Sequence, residues 1–178
     1  MKMKVPAALL LVSVLLAGCG NSGAKLDTQE AIQESVQDFY NKVTELEVAG
    51  KEALESFNGT IAAYTEGKAD ETELEKAIDS FQSATADIRE KAAKLEVDSG
   101  LPDDVEQLMD EAKTSFQEAY KLKAQASDSV DSADVTAEQF DEMNKNADIV
   151  MLYGISKLKE ARSAVGLDEE ELAPSATP

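Results

Sequence analysis

Apolar residues recur at alternating spacings of three and four positions through most of the chain. Such spacing places them on one narrow stripe of an α-helix, as in helical bundles and coiled coils. The pattern predicts four amphipathic helices, over about residues 27–66, 71–97, 101–127 and 136–166. Short connections favour antiparallel neighbours. The sequence therefore predicts an all-α fold, an antiparallel up-down-up-down four-helix bundle with long helices over residues 27–166.

Several of these predicted helices carry a start signal. Asp70 with Glu73, and Thr136 with Gln139, have the spacing of a capping box, in which the side chains and backbone N–H groups of the two residues bond reciprocally. Two glycines, Gly67 and Gly166, follow predicted helices and suit their C-terminal caps.

The first predicted helix is longer than the other three. Either its start, around residues 27–36, extends beyond the bundle as a stalk, or the helix breaks at Gly50 or at Asn58-Gly59. A continuous helix with a weak spot at one of these glycines is the favoured interpretation.

The first 18 residues have a different pattern. Met1 to Lys4 is short and basic, and the 13 residues from Val5 to Ala17 are almost wholly apolar. These are the features of a secretory signal peptide. The apolar stretch is too short to cross a bilayer core, which takes ~20 residues. Residues 1–18 are therefore predicted to be a cleaved signal peptide.

The signal peptide ends in Leu16-Ala17-Gly18-Cys19, which resembles the lipobox of bacterial lipoprotein precursors. The resemblance covers only about the first 20 residues, and it implies that the Cys19 thiol is diacylated and Cys19 becomes the new N-terminus. Two acyl chains hold a protein stably on a membrane. Residues 19–26 would then be a lipidated flexible tether, with the bundle on the extracytoplasmic face of the bacterial cell membrane. An ordinary secreted protein with a chance Cys is the alternative.

Composition alone does not decide whether the mature chain is folded or disordered. Loss of residues 1–18 removes Lys2 and Lys4, so the formal charge changes from −19 to −21, and Leu, Ile, Val and Phe are one fifth of what remains. That combination lies at the threshold for disorder. The apolar register of four helices outweighs it. Only residues 167–178, which are acidic and contain two prolines, are predicted to be a disordered tail.

The residues that are missing exclude most catalytic chemistry. The chain has no His and a single Cys, which removes Ser-His-Asp catalysis, Cys-His catalysis and His-ligated metal sites. The acidic charge argues against nucleic-acid binding. None of the predicted seam positions carries a carboxylate, so an apolar bundle interior without a di-iron site is expected. The chain is therefore predicted to be non-enzymatic and to need no cofactor.

One loop has oxygen ligands at regular spacing. Asp128, Asp131 and Asp134 lie three residues apart in the third connection. Extracellular Ca²⁺ sites with oxygen ligands are often weak, but the EF-hand pattern of alternate Asp, central Gly and final Glu is absent. A solvated turn is the favoured interpretation, and a weak Ca²⁺ loop is the alternative.

The fourth helix has an unusually broad apolar face. Ile149, Leu152 and Tyr153 fall on the side opposite the seam. The simpler explanation is that this helix is enclosed, either by the start of the first helix or by Leu167 and Leu172. The alternative is a partner-binding patch at which Gly154 allows close approach.

Three other residues are expected to have structural roles. Glu47 is predicted to lie on the exposed face, four residues before Lys51, and Tyr120 in the core or at its boundary. Asn144 is interpreted as a surface or register-setting residue.

The expected function is binding: a lipid-anchored scaffold or modulator that contacts an envelope protein or the cell wall. The alternative is a lipoprotein that binds Ca²⁺, another cation or a small ligand weakly.

Overall fold

The computed structural model describes residues 26, 28–130, 132 and 135–167. Within these residues it contains four α-helices and no strand. The helices span Gln29–Thr65 (α1), Glu71–Ala93 (α2), Asp103–Asp128 (α3) and Ala137–Ala164 (α4). The predicted all-α helical bundle is thus confirmed. The predicted signal peptide, residues 19–25 of the tether and residues 168–178 of the tail lie outside the described residues.

The predicted start signals operate as capping boxes. Asp70 accepts a hydrogen bond from the Glu73 N–H while the Glu73 carboxylate accepts one from the Asp70 N–H, both at 2.9 Å. Thr136 and Gln139 form the same reciprocal pair at the start of α4. These bonds satisfy N–H groups that have no partner inside the helix.

The first helix is continuous through Gly50 and Asn58-Gly59, as the favoured interpretation expected. Its excess length lies at its end, where the seam residues Ile61 and Tyr64 are 38% and 43% exposed. The start is no stalk. Gln29 and Gln33 both donate from Nε2 to the Val165 carbonyl oxygen, at 2.7 and 2.8 Å, which ties the start of α1 to the end of α4.

The second helix ends earlier than predicted, at Ala93. Lys94 and Leu95 donate to carbonyl groups three residues back, as in a tightened final helical turn. Leu95 is nevertheless only 6% exposed. The apolar spacing correctly predicts Leu95 as a core residue, although it lies beyond the end of the α-helix.

A single apolar core joins the four helices. The buried seam residues form one contiguous cluster that includes Val36, Phe39, Val43, Leu46, Ile88, Met109, Phe116, Tyr120 and Leu158. The closest association is between α3 and α4, whereas α1 and α4 have the least contact of the four neighbouring pairs. The weak α1–α4 contact matters because both helices border the cavity described next.

Candidate functional site

A cavity of about 300 Å³ opens inside the bundle, and every helix contributes to its wall. This volume is at the small end of the range for ligand pockets in proteins. Its walls are largely apolar, with contributions from Leu54, Phe81, Ile88 and Met151. The Phe81 ring is stacked on Phe57, with ring centroids 4.6 Å apart, which fixes this wall between α1 and α2.

Gly50 is one reason that this space exists. It lies in the apolar seam of α1, where the remaining seam positions of that helix all carry a side chain, and it lines the cavity. A Cβ at this position would meet only Ile88 Cδ1, at an ordinary contact distance of 3.8 Å. The space beside Gly50 is therefore open, and close backbone packing does not account for the glycine.

Glu47 brings a carboxylate to this mostly apolar wall. It is half-buried and makes no hydrogen bond or salt bridge with any residue that the structure describes. Burial raises the pKa of this carboxyl above its ordinary value, and the nearby Lys123 ammonium offsets part of the rise. The Lys123 ammonium itself lies 2.6 Å from Asp148 Oδ1, so a second carboxylate already neutralises it.

Tyr120 contributes the most deeply buried polar group. The residue is 3% exposed, and its hydroxyl has no hydrogen-bond partner among the described residues. Burial first, and the Glu47 carboxylate second, raise the pKa of Tyr120 well above its usual range, so the phenol stays protonated. A buried hydroxyl without a partner costs about 1–3 kcal/mol. Tyr120 is one of the residues that line the cavity, and a bound water or ligand is one way in which such a buried group is satisfied.

The other polar side chains of the cavity wall differ in whether their hydrogen-bonding atoms already have partners. Asn144 donates from Nδ2 to the Phe140 carbonyl at 3.0 Å, which leaves its Oδ1 without a donor in the described part of the chain. The Thr85 hydroxyl is paired with the Ser127 hydroxyl at 2.6 Å and lies within reach of the Phe81 carbonyl. Thr85 is therefore satisfied by the protein, whereas Asn144 retains a free acceptor.

Three apolar side chains of α4 are exposed. Ile149 and Leu152 are each 65% exposed and Tyr153 is 51% exposed, so neither the start of α1 nor Leu167 encloses this face, while Leu172 lies outside the described residues. Only Tyr153 has a clear structural tie, because its hydroxyl donates to Glu111 at 3.0 Å. Whether the patch binds a partner stays a prediction.

Gly154 does not belong to that patch, contrary to the sequence-based hypothesis. It is buried, and a Cβ there would lie 3.1 Å from Ser115 Cβ and 3.4 Å from the Ala112 carbonyl oxygen. Gly154 therefore allows close packing of α4 on α3, which explains why this pair has the closest contact in the bundle.

The other predicted site residues fall mostly outside the described residues. These include Cys19, Asp131 and Asp134, whereas Asp128 is exposed at the end of α3. No group of three or more acidic or Cys side chains suited to a metal ion occurs in the part of the chain that is described. The weak Ca²⁺ loop stays a prediction.

Sequence reasoning missed the cavity. From the sequence, Glu47 is predicted to lie on the exposed face. However, Glu47 lies four residues after the seam residue Val43 and three before Gly50, and this spacing brings it to the edge of the seam. That spacing, together with a glycine in the seam, was the available signal.

Comparison of the chain with protein-family models gives no match, and comparisons with curated proteins and with solved structures give none either. Among the described helices, none is long and apolar enough to span a membrane. The candidate site therefore rests on the geometry and chemistry of the cavity.

Proposed function

We propose that this protein is a bacterial lipoprotein, anchored through Cys19 on the extracytoplasmic face of the cell membrane, and that it acts by binding rather than by catalysis. Its bundle holds a small ligand in the cavity between the four helices. The observation that carries the binding role is that Tyr120, which lines that cavity, has a buried hydroxyl without a hydrogen-bond partner among the described residues.

The anchoring part of the proposal is supported by the sequence. A basic start, a short apolar stretch and the tetrapeptide ending in Cys19 occur in the order that bacterial lipoprotein precursors share. Two acyl chains on Cys19 are sufficient for stable anchoring. The acidic bundle would gain no attraction from anionic headgroups, so lipid must supply the attachment.

The bundle is proposed to run up, down, up, down. Contacts between consecutive helices support this order, because residue numbers rise along one helix as they fall along the next. Lys123 pairs with Asp148, while the earlier Glu111 pairs with the later Tyr153. The same opposition relates α2 to α3, since Gln82 donates to the Ser127 carbonyl and Ala93 accepts from Gln117.

The anchor is tested by replacing its acylation site. The Cys19→Ala chain is expected to leave the membrane fraction or to remain there unprocessed, and mass spectrometry of the wild-type protein is expected to find a diacylated N-terminal Cys. A wild-type protein that carries no lipid would contradict the anchor. Ser22→Ala, three residues away in the predicted tether, is the control that should change neither result.

A second candidate function is contact with another envelope component, and the exposed patch of Ile149, Leu152 and Tyr153 favours it. Exposed apolar side chains that lie side by side on a soluble protein are a common feature of interaction sites. In this account the protein is a scaffold or modulator that docks an envelope protein or the cell wall through α4.

The patch is tested by the double variant Ile149→Ser with Leu152→Ser. Tyr153 is left unchanged because it bonds to Glu111. A photo-reactive residue at the exposed position 145, four residues before Ile149, should form a discrete cross-link in intact cells that the double variant abolishes. A cross-link that persists in the double variant, or one that a photo-reactive residue at position 75 on α2 reproduces, would contradict docking at this patch.

A further inference from the structure

We propose that the cavity binds a small organic cation, an ammonium group carried on an apolar body of about ten non-hydrogen atoms. This inference deepens the proposed binding function and rests on it. It assigns the ammonium group to Glu47, Tyr120 and Asn144, and the apolar body to the wall around Phe81, Ile88 and Met151.

The free polar atoms of the cavity wall are all able to accept hydrogen bonds. Glu47 presents an unpartnered carboxylate, Asn144 presents an unused Oδ1, and the Tyr120 hydroxyl oxygen has no partner in the described residues. An ammonium group has three donors and no acceptor. A cationic ligand therefore matches the acceptor capacity that the protein leaves unused.

The cationic donors at the cavity are already occupied. Lys123 binds Asp148, and Lys51 lies 3.8 Å from Glu55 and makes a further interaction of its own. The Thr85 hydroxyl is bonded within the protein. A carboxylate or phosphate ligand would find no free positive partner here and would meet Glu47, so an anion is disfavoured.

The size and lining of the cavity set the rest of the ligand. At about 30 Å³ per water, a cavity of about 300 Å³ has room for roughly ten water-sized volumes. Its apolar walls, which include the aromatic residues Phe81 and Tyr120, favour a hydrocarbon body.

A metal ion fits the cavity less well than an organic cation does. Hard cations such as Ca²⁺ take six to eight oxygen ligands. No group of three or more acidic side chains suited to a metal occurs within the described ranges. The overall charge of −19 attracts cations generally, so the selectivity must come from the apolar walls, which only an organic cation exploits.

Three probes of matched shape test the ligand class: phenethylammonium, the neutral 2-phenylethanol and the anionic phenylacetate. Calorimetric titration of the full chain carrying Cys19→Ser, at fixed ionic strength, measures each affinity. Because a charge-assisted hydrogen bond is worth more than a neutral one, phenethylammonium should bind about tenfold tighter than 2-phenylethanol. Phenylacetate should bind most weakly. Equal affinity for all three probes, or no binding by any of them, would overturn the proposal.

Paired variants test the assigned residues. Glu47→Gln should weaken phenethylammonium binding about tenfold and leave 2-phenylethanol binding unchanged, whereas Glu45→Gln removes the same charge from an exposed position on α1 and should change neither. Tyr120→Phe should weaken phenethylammonium binding by a smaller factor. If Glu45→Gln weakens binding as much as Glu47→Gln does, the probe is held by the general acidic surface and the proposal is wrong.

The test is separate from the anchor. Since Cys19→Ser removes the proposed acylation site, calorimetry reports on the cavity whether or not the native chain is lipidated. A native protein without lipid would contradict only the proposed anchor. Equal or absent binding of the three probes would contradict only the proposed ligand class.

Discussion

The Lys123 ammonium lies 2.6 Å from Oδ1 of Asp148, and this salt bridge joins α3 to α4 at the edge of the cavity. The pairing leaves Glu47 as the carboxylate in the cavity wall without a close positive partner among the described residues. That relationship explains how an acidic group is kept available for a ligand although two lysines line the same cavity.

Removal of Asp148 should therefore lower the pKa of Glu47. In Asp148→Asn a negative charge is lost, and the released Lys123 ammonium is free to approach the Glu47 carboxylate. A carbon-13 NMR titration of the Glu47 carboxyl measures the change, with the exposed Asp141→Asn as the control. An unchanged Glu47 titration would show that Lys123 is not held by Asp148 in solution. Because Asp148 is mostly exposed, stability should change by less than about 1 kcal/mol.

Glu47→Gln should raise the stability of the unliganded protein at neutral pH. Burial raises the pKa of this carboxyl above 4.5 in the folded state, so the folded chain binds the proton more tightly than the unfolded chain does. The wild type is then relieved of this cost below pH 4.5 and loses stability as the pH rises from 4.5 through the raised folded-state pKa.

The measurement is the melting temperature of Glu47→Gln minus that of Glu45→Gln at several pH values, which cancels the general effect of removing one negative charge. The difference should be positive at neutral pH and should vanish in acid. A difference that grows in acid would mean that the Glu47 carboxylate is stabilised in the folded protein, contrary to this account.

Tyr120→Phe should be nearly neutral or stabilising in urea unfolding, because it deletes a buried hydroxyl that has no protein partner. Thr85→Val gives the contrast. It removes the partner of the Ser127 hydroxyl, which is fully buried, and should cost about 1–3 kcal/mol. A Tyr120→Phe variant that loses as much stability as Thr85→Val would show that the phenol is satisfied within the protein.

The two helical glycines of the seam should respond oppositely to Ala. Gly50→Ala should stabilise by about 1 kcal/mol, since helix propensity rises and the new Cβ makes only an ordinary contact. Gly154→Ala should destabilise by about 1 kcal/mol or more, because its Cβ would press on Ser115 and on the Ala112 backbone. Thermal unfolding of the two variants measures both signs, and a stabilised Gly154→Ala would mean that α3 and α4 are not in such close contact.

The helices were predictable from the sequence because their signals are local. The bonds that start α2 at Asp70 and α4 at Thr136 join residues three positions apart, and the apolar spacing identified buried residues such as Val36 and Phe116. The exact end of α2 was harder to predict from the sequence, because Leu95 is buried although it lies beyond the last residue of the helix.

The cavity was not predictable in the same way, because it depends on which side chains four separate helices bring together. Glu47 has the same local sequence whether it faces water or a cavity. Tyr120 was expected in the core or at its boundary, but the absence of a partner for its hydroxyl follows only from packing in three dimensions. The contact of Gly154 with Ser115 follows only from packing in the same way.

An experimental structure of the full chain with phenethylammonium would show whether the cavity binds an organic cation. The ammonium nitrogen is expected about 3 Å from a Glu47 carboxylate oxygen, with the ring against Phe81 and Met151. A structure in which the cavity holds no probe, and phenethylammonium contacts only exposed carboxylates, would contradict binding in the cavity.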